Sequence, residues 1–203
     1  MASPDSTTIA RTCAVILAGG RGSRMGGEDK CLICIGGKPL VGHLIDALRP
    51  QVDDILISAN RNLDSYARFG FPVIEDRLGG FQGPLAGMAA ALERCDAERL
   101  LTVPGDAPLL AADYAARMQA ALADSGAAAC VAEFEGRRQP VYCLLSSGLR
   151  DSLDTWLQQG GRATHSWLDA IGAVGVDFSD QPRQFINLNS ADDRARLEAI
   201  LTA

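Results

Sequence analysis

The sequence lacks the features of membrane-spanning, secreted and nucleic-acid-binding proteins. None of its apolar runs reaches the roughly 18 to 20 residues that cross a bilayer. Residues 1–11 are small and polar, without the apolar core of a secretory signal, and we interpret them as a flexible lead-in. The formal net charge is −6, whereas binders of duplex nucleic acid usually carry a basic surface. We therefore expect a cytoplasmic protein that binds neither membranes nor nucleic acid.

Several catalytic and metal-binding motifs are also missing. No Gly-Lys-Ser/Thr follows a Walker-type spacer, and a dinucleotide fingerprint starting at Gly20 would need a glycine where Met25 stands. No set of serine, histidine and aspartate suggests a hydrolase triad. Cys31 and Cys34 form a CxxC, but zinc sites usually pair two such units and no second one is present. These two residues are therefore structural cysteines or a redox pair, and the other cysteines, mostly in apolar runs, are typical of a reduced cytosolic protein.

The remaining pattern predicts a single α/β domain over residues 12–203. The composition, 47% apolar and 22% charged, is that of an ordinary globular protein. Predicted strands cover residues 12–17, 54–58, 72–74, 99–103, 127–133 and 140–145, with short extended pieces at 173–178 and 184–187. Predicted helices cover residues 39–48, 63–69, 84–95, 111–123, 148–158, 165–171 and 191–201, the last capped by Ser190. This alternation favours a Rossmann-like three-layer sandwich with a mostly parallel sheet, whose ligands bind beyond the carboxyl ends of the strands.

A glycine-rich loop follows the first predicted strand. Residues 17–30 read LAGGRGSRMGGEDK, with five glycines between Gly19 and Gly27 and with Arg21, Arg24 and Lys30 among them. Glycines let the backbone approach a ligand closely, so that amide groups can surround phosphate oxygens while the cations neutralise them. The alternative is a flexible connector with solvated charges, which is an unusual use for three cations directly after a buried strand.

This loop resembles the signature of the molybdenum cofactor guanylyltransferases, the MobA family, which are nucleotidyltransferases of the nucleotide-diphospho-sugar transferase type. Further similarity extends from about residue 13 to about residue 200. It includes GKPL at 37–40, ANR at 59–61, IED at 74–76, GPLAG at 83–87, PGDAP at 104–108 and FINLN at 185–189. The sequence departs from the family pattern at Ser58, where asparagine is usual, and at Cys31, where glycine is common.

The resemblance implies transfer of GMP from GTP to molybdopterin with release of pyrophosphate. It implies that residues 12–110 form a nucleotide-binding half and residues 111–203 an acceptor-binding half. Mg²⁺ is the implied cofactor and GTP and molybdopterin the implied substrates, with transient contact to molybdenum insertion proteins or molybdoenzyme chaperones.

The resemblance also implies the site residues. The GTP-binding set is Leu17, Ala18, Gly19, Gly20, Lys30, Ser58, Asp76 and Asp106. Arg24 and Lys30 would contact the triphosphate and act in catalysis, and Asp76 would contact the guanine or the ribose. The set bordering the molybdopterin pocket is Arg138, Gln139, Asn187 and Asn189. From the residues alone, the basic stretch around Arg138 is either a solvated patch or a site for an anionic pterin phosphate.

Asp106 is the predicted metal ligand and the third catalytic residue. It follows the strand at 99–103, and the turn between Pro104 and Pro108 would hold one carboxylate at the edge of the sheet. Spacing alone leaves open a turn aspartate that bonds its own backbone. Mg²⁺ needs only one or two carboxylates plus phosphate oxygens and water, so a dense ligand cluster is not required.

Two alternatives to guanylyl transfer stay open. One is a related transferase that uses CTP or a sugar-phosphate acceptor, and the other is a nucleotide-binding module without catalysis. The cytidylyltransferases of this group usually read LAAG, whereas this chain reads LAGG, with Gly19 in place of the second alanine. The missing methyl group leaves more room for a purine, which favours GTP. The presence of both Lys30 and Asp106 argues against a non-catalytic module.

Overall fold

The computed structural model of the protein describes residues 10–19, 28–76 and 83–202. Its strands are β1 (Thr12–Leu17), β2 (Cys34–Ile35), β3 (Lys38–Pro39), β4 (Asp54–Ser58), β5 (Val73–Ile74), β6 (Arg99–Pro104), β7 (Ala129–Phe134), β8 (Arg137–Ser146) and β9 (Val174–Asp177). Its α-helices are α1 (Leu40–Leu48), α2 (Leu63–Ala67), α3 (Pro84–Arg94), α4 (Tyr114–Ser125), α5 (Arg150–Gln158), α6 (Thr164–Ala170) and α7 (Ala191–Leu201). Short 3-10 helices lie at Lys30–Leu32, Ser147–Leu149 and Pro182–Phe185.

The main sheet has seven strands in the order β5-β4-β1-β6-β8-β7-β9 within the described residues. β8 runs antiparallel to both of its neighbours, and every other pairing is parallel. The predicted mostly parallel sheet is therefore confirmed. Because β5, β4, β1 and β6 run in the same direction, their carboxyl ends meet at one edge of the sheet.

Helices cover both faces because β1 and its neighbours are apolar on both sides. Ala14 and Ile16 of β1 belong to the core cluster beneath α1, α2 and α4. Cys13 and Val15 belong to the cluster beneath α3, α5 and α6. This is the pattern of a central parallel strand, which is buried on both faces. None of the helices in the described part of the chain is both long enough and apolar enough to span a membrane.

A smaller cluster attaches α7 to a two-stranded hairpin that the sequence patterns did not predict. Strands β2 and β3 pair across Gly36 and Gly37, both of which have positive φ. Ile35 of the hairpin packs with Leu188 and Leu197. The predicted cap of the last helix is confirmed, since Ser190 Oγ accepts a hydrogen bond from the Asp193 N–H at 3.1 Å.

The piece predicted as extended at residues 184–187 is wrong in its first half. Pro182–Phe185 is a 3-10 helix with proline in its first turn, and the Ile186 N–H donates to the Arg183 carbonyl. Proline has the φ angle of a helix start already set, which favours this turn over an edge strand.

The ends of β1 and β6 approach so closely that only glycine fits after β6. The Gly105 N–H donates to the Leu17 carbonyl at 3.0 Å. A Cβ at position 105 would lie 2.6 Å from Cys31 Sγ and 3.1 Å from Leu17 O. The buried sulfur of Cys31 therefore occupies the space beside this glycine.

We expect Gly105→Ala to lower the free energy of unfolding by about 1–3 kcal/mol, because the added methyl group overpacks this contact. Urea unfolding followed by circular dichroism measures the change. Gly148→Ala is the matched control, since the nearest atom to its Cβ would be Ser146 Oγ at 3.7 Å. A loss no larger than that of the control would contradict the tight packing at Gly105.

Candidate functional site

A cleft of about 420 Å³ opens at the carboxyl edge of the parallel strands. In the sheet, β4 and β5 lie on one side of β1, and β6, which follows them in the chain, lies on its other side. The cleft therefore lies at the point where the strand order reverses. Six of the predicted site residues line it: Leu17, Gly19, Ser58, Asp76, Asp106 and Asn187. Two predicted residues, Gly20 and Arg24, lie outside the described residues.

The segment after β1 presents backbone to the cleft. The Ala18 N–H donates to the Ser58 carbonyl at 2.8 Å, and the Ala18 side chain is buried in the core. Gly19 is exposed, and a Cβ there would lie 3.1 Å from Asn60 Nδ2. Ala18 therefore extends the sheet, whereas Gly19 is the described residue at which the chain becomes open to a ligand.

Helix α3 approaches the floor of the cleft through a glycine. A Cβ on Gly87 would lie 2.7 Å from both Leu17 Cδ2 and Ser58 Oγ. Ser58 is 2% exposed, so its hydroxyl is a short group at the base of a narrow space. The absence of a side chain at Gly87 lets the first turns of α3 lie directly against the ends of β1 and β4.

Asp76 has one carboxylate oxygen without a hydrogen-bond donor among the described residues. The Asn60 amide donates to Asp76 Oδ2 at 2.8 Å, and the Asp76 N–H donates to Asn60 Oδ1 at 2.9 Å. Asp76 Oδ1 is buried and has no hydrogen-bond partner among the described residues. Burial raises the pKa of Asp76, and the nearby Asn60 and Ser58 side chains oppose that rise. The free oxygen is suited to accept a hydrogen bond from a ligand.

Lys30 and Asp106 lie near each other, together with the segment before α7. Lys30 Nζ donates to Asn189 Oδ1 at 2.7 Å. Burial raises the pKa of Asp106, and the positive charge of Lys30 opposes the rise. The Leu188 N–H donates to the Asp106 carbonyl at 2.8 Å. The carboxylate of Asp106, the ammonium group of Lys30 and the side-chain amide of Asn189 therefore lie near one another at the cleft.

The predicted acceptor residues divide into two groups. Asn187 lines the cleft, and its Oδ1 is buried without a hydrogen-bond partner in the described part of the chain. Arg138 instead donates to Asp169 Oδ1 at 2.6 Å and to the Ala173 carbonyl at 3.0 Å, and Gln139 donates to the Arg137 carbonyl at 3.2 Å. The structure brings Asn187 to the cleft, places Asn189 against Lys30, and joins Arg138 to α6 and to the residue before β9.

A β-bulge accounts for the placement of Arg138. Val131 pairs with Cys143 and Glu133 pairs with Arg138, so a step of two residues along β7 matches a step of five along β8. Glu133 Oε1 also lies 3.4 Å from Arg138 Nε. Such a bulge re-aims side chains, and no periodic pattern in the sequence shows it.

The family is decided by comparison with known proteins. Residues 14–174 match the sequence model of the MobA-like NTP transferase domain. The chain belongs to this family. Among its relatives, the molybdenum cofactor guanylyltransferase of Shewanella baltica (strain OS155) is 47% identical over 189 residues, 93% of this chain and 96% of the relative. The enzyme of the same name from Shewanella loihica is 46% identical over 188 residues, 92% of this chain and 96% of the relative.

Solved structures of this and related families share the fold of this MobA-like transferase. The molybdopterin-guanine dinucleotide biosynthesis protein A of Archaeoglobus fulgidus has a TM-score of 0.76 at 21% identity, covering 93% of this chain and 97% of its own. The 2-C-methyl-D-erythritol 4-phosphate cytidylyltransferase of Thermus thermophilus has a TM-score of 0.71 at 18% identity, covering 93% and 98%. The predicted family and fold are confirmed, and the fold alone does not select the nucleotide.

This MobA-like site also depends on residues that the sequence reasoning did not select. Asp29 is 9% exposed, and its carboxylate accepts hydrogen bonds from Tyr66 Oη at 2.8 Å and from Asn62 Nδ2 at 3.0 Å. Arg61 Nε lies 3.7 Å from the same carboxylate. This network anchors the chain where it leaves the glycine-rich loop. In the sequence, the signal that could have indicated a role for Asp29 is its position directly before Lys30.

The CxxC of this transferase is divided between two environments. Cys31 is 5% exposed, and burial raises the pKa of its thiol. Cys34 is exposed on β2, and both cysteines are free thiols. Of the two alternatives, these surroundings favour structural cysteines over a redox pair.

We expect Asp76→Asn to raise the melting temperature of the ligand-free protein at about pH 7 to 8. The pKa of Asp76 is raised in the folded state, so folding favours the protonated form and the ionised form costs stability. This cost is present above the folded pKa and disappears below the ordinary pKa of an unfolded aspartate, about 3.9. The advantage of the variant should therefore shrink as the pH falls toward 4, roughly that value.

Thermal unfolding between these pH values, followed by circular dichroism, measures the effect. Asp124→Asn is the control, because Asp124 is exposed on α4 and away from the cleft. A difference between wild type and Asp76→Asn that does not change with pH would show that the carboxylate of Asp76 is not desolvated.

Proposed function

We propose that this chain transfers GMP from GTP to molybdopterin, forming the guanine dinucleotide form of the molybdenum cofactor and releasing pyrophosphate. Its support is the 46–47% identity to molybdenum cofactor guanylyltransferases over at least nine tenths of their length. The structural observation that carries the proposal is the cleft itself, which is lined by Asp76, whose Oδ1 has no donor among the described residues, and by Asp106, with Lys30 nearby.

GTP binds over the ends of β1, β4 and β6 in this proposal. The backbone from Leu17 to Gly20 borders the nucleotide, and Ser58 lies at the floor of the cleft. Asp76 Oδ1 accepts a hydrogen bond from the guanine or the ribose, both of which offer donors. Lys30 and Arg24 contact the triphosphate, where their charges stabilise the leaving pyrophosphate.

The attacking group is the terminal phosphate of molybdopterin, which is already an anion. A phosphate oxygen attacks the α-phosphorus of GTP, the new P–O bond replaces the bond to the β-phosphate oxygen, and pyrophosphate leaves. No covalent enzyme intermediate is required. The protein's task is to bring two anions together and to stabilise the added charge. The residues that we propose to contact molybdopterin are Asn187, Asn189, Arg138 and Gln139.

The residues present fit a magnesium ion. Asp106 is a largely buried carboxylate whose pKa is raised by desolvation, so a cation beside it would relieve that cost. Across the residues that the structure describes, no group of three or more His, Cys, Asp or Glu side chains could hold a metal. A site of one carboxylate suits Mg²⁺, which takes its remaining ligands from phosphate and water. When bound at Asp106, the ion would neutralise phosphate oxygens.

The setting that accompanies this function is the cytoplasm, where the six free thiols would stay reduced. Transient contact with molybdenum insertion proteins or molybdoenzyme chaperones also stays a prediction.

We expect Lys30→Ala and Asp106→Ala each to lower the rate of pyrophosphate release about a hundredfold, or by about 3 kcal/mol in activation free energy. Both variants should remain folded, because each loses a side chain at the edge of the cleft and none from the core. The assay uses purified protein, GTP, Mg²⁺ and molybdopterin. Lys38→Ala is the control, since Lys38 pairs with Asp46 on the surface. Normal transfer by both variants would refute the assigned roles, and no release by the wild type would favour a non-catalytic module.

We expect GTP to bind more tightly than ATP or CTP when the three are compared by calorimetry with Mg²⁺ present. Gly19 leaves room for a purine, and guanine supplies donors for Asp76 that adenine does not present in the same arrangement. Asp76→Asn should reduce the preference for GTP. Tighter binding of CTP would instead support the related cytidylyl transfer.

A further inference from the structure

Asn189 contacts Lys30, a residue proposed to bind the triphosphate, although Asn189 itself is predicted to border the molybdopterin pocket. Its Oδ1 accepts a hydrogen bond from Lys30 Nζ at 2.7 Å, across 159 positions of sequence. An ammonium group has only donors, so the amide oxygen is the atom that can face it. We propose that Asn189 is a positioning residue for Lys30, which holds the ammonium group beside the cleft before GTP binds. This inference rests on the proposed function, which gives Lys30 its role at the triphosphate.

Asn189 is exposed, but its backbone is held on both sides. Its N–H donates to Asp193 Oδ2 at 3.0 Å, and the Ser190 hydroxyl donates to the same oxygen at 2.8 Å. The preceding residue, Leu188, is fully buried, and its N–H donates to the Asp106 carbonyl. The first turn of α7 and the turn at Asp106 therefore fix the backbone from which the Asn189 side chain reaches Lys30.

A neutral amide suits this task better than a carboxylate would. One of the three donors of the lysine is used by Asn189, and two remain for phosphate oxygens. Because the amide carries no charge, the lysine keeps its full positive charge for the triphosphate. A long lysine side chain loses much rotamer freedom when a ligand orders it, so ordering it beforehand strengthens binding.

The inference differs from a direct pterin contact in a measurable way. A residue that contacts only the acceptor has no effect on GTP binding when the acceptor is absent. A residue that positions Lys30 affects GTP binding in the absence of acceptor, and its effect requires the ammonium group of Lys30. A double-mutant cycle separates the two roles.

The experiment measures the dissociation constant of Mg²⁺-GTP without acceptor, by competition titrations that extend to millimolar GTP. The proteins compared are wild type, Asn189→Ala, Lys30→Met and the double variant. Asn189→Ser is a second variant in case Asn189→Ala unfolds, which circular dichroism checks. Asp192→Asn is the matched control, because Asp192 is an exposed residue of the same segment.

We expect Asn189→Ala to weaken GTP binding about tenfold, as for the loss of a hydrogen bond to a charged group. In the Lys30→Met background the same change should alter binding by less than about twofold. Unchanged GTP binding by Asn189→Ala, or an equal loss in both backgrounds, would overturn the inference. The proposed function is tested separately, by pyrophosphate release from the wild type with molybdopterin, so its failure would be recognised on its own.

Discussion

The site depends on the parallel register of β1 between β4 and β6. Leu17 pairs with Ser58 on one side and with Pro104 on the other, so the three strands end at the same level. The hydrogen bonds from Ala18 to Ser58 and from Gly105 to Leu17 continue this register by one residue beyond the strands. A slip of one residue would turn each side chain to the opposite face of the sheet. The position of every cleft residue after these strands follows from this alignment.

Three carboxylates at or near the cleft, those of Asp29, Asp76 and Asp106, differ in how well hydrogen-bond donors of the described residues offset their desolvation. Asp29 is satisfied by Tyr66 and Asn62, so its burial is matched by protein donors. Asp76 and Asp106 are less well matched, and burial raises the pKa of both. A fold that carries such desolvated acceptors gives up stability where a ligand donor or a cation would restore it. The contrast distinguishes a carboxylate matched by protein donors, Asp29, from two that the proposed function assigns to substrate and metal, Asp76 and Asp106.

The sequence predicts the main sheet and most of its helices, but not the β2–β3 hairpin or the 3-10 helix at Pro182–Phe185, and it predicts those parts of the cleft that directly follow a strand. Strand β1 could be predicted from its nearly continuous apolar run that ends in glycines, and helix α3 from its alanine-rich sequence after Pro84. Asp106 could be predicted because it follows a predicted strand. The contact between Lys30 and Asn189 could not be predicted, since nothing local links residues 159 positions apart. Arg138 reaches its partners because of the bulge between β7 and β8. Asp29 accepts a hydrogen bond from Tyr66, a buried residue of α2 that lies 37 positions away in the sequence. Tertiary contacts of this kind leave no periodic pattern.

The segment before α7 joins the two proposed halves of the chain, residues 12–110 and 111–203, at the cleft. Asn189 reaches Lys30, Leu188 is bonded to Asp106, and the apolar side chains of this segment pack with Ile35 and Leu40 of the first half. The two halves therefore do not present separate surfaces that meet only through substrates. A reaction between two anions requires both to be held where positive charge is already in place. In the proposed reaction, Lys30 of residues 12–110 is positioned by the amide of Asn189 from residues 111–203, so the contact with the triphosphate depends on the same segment that carries Asn187 into the cleft.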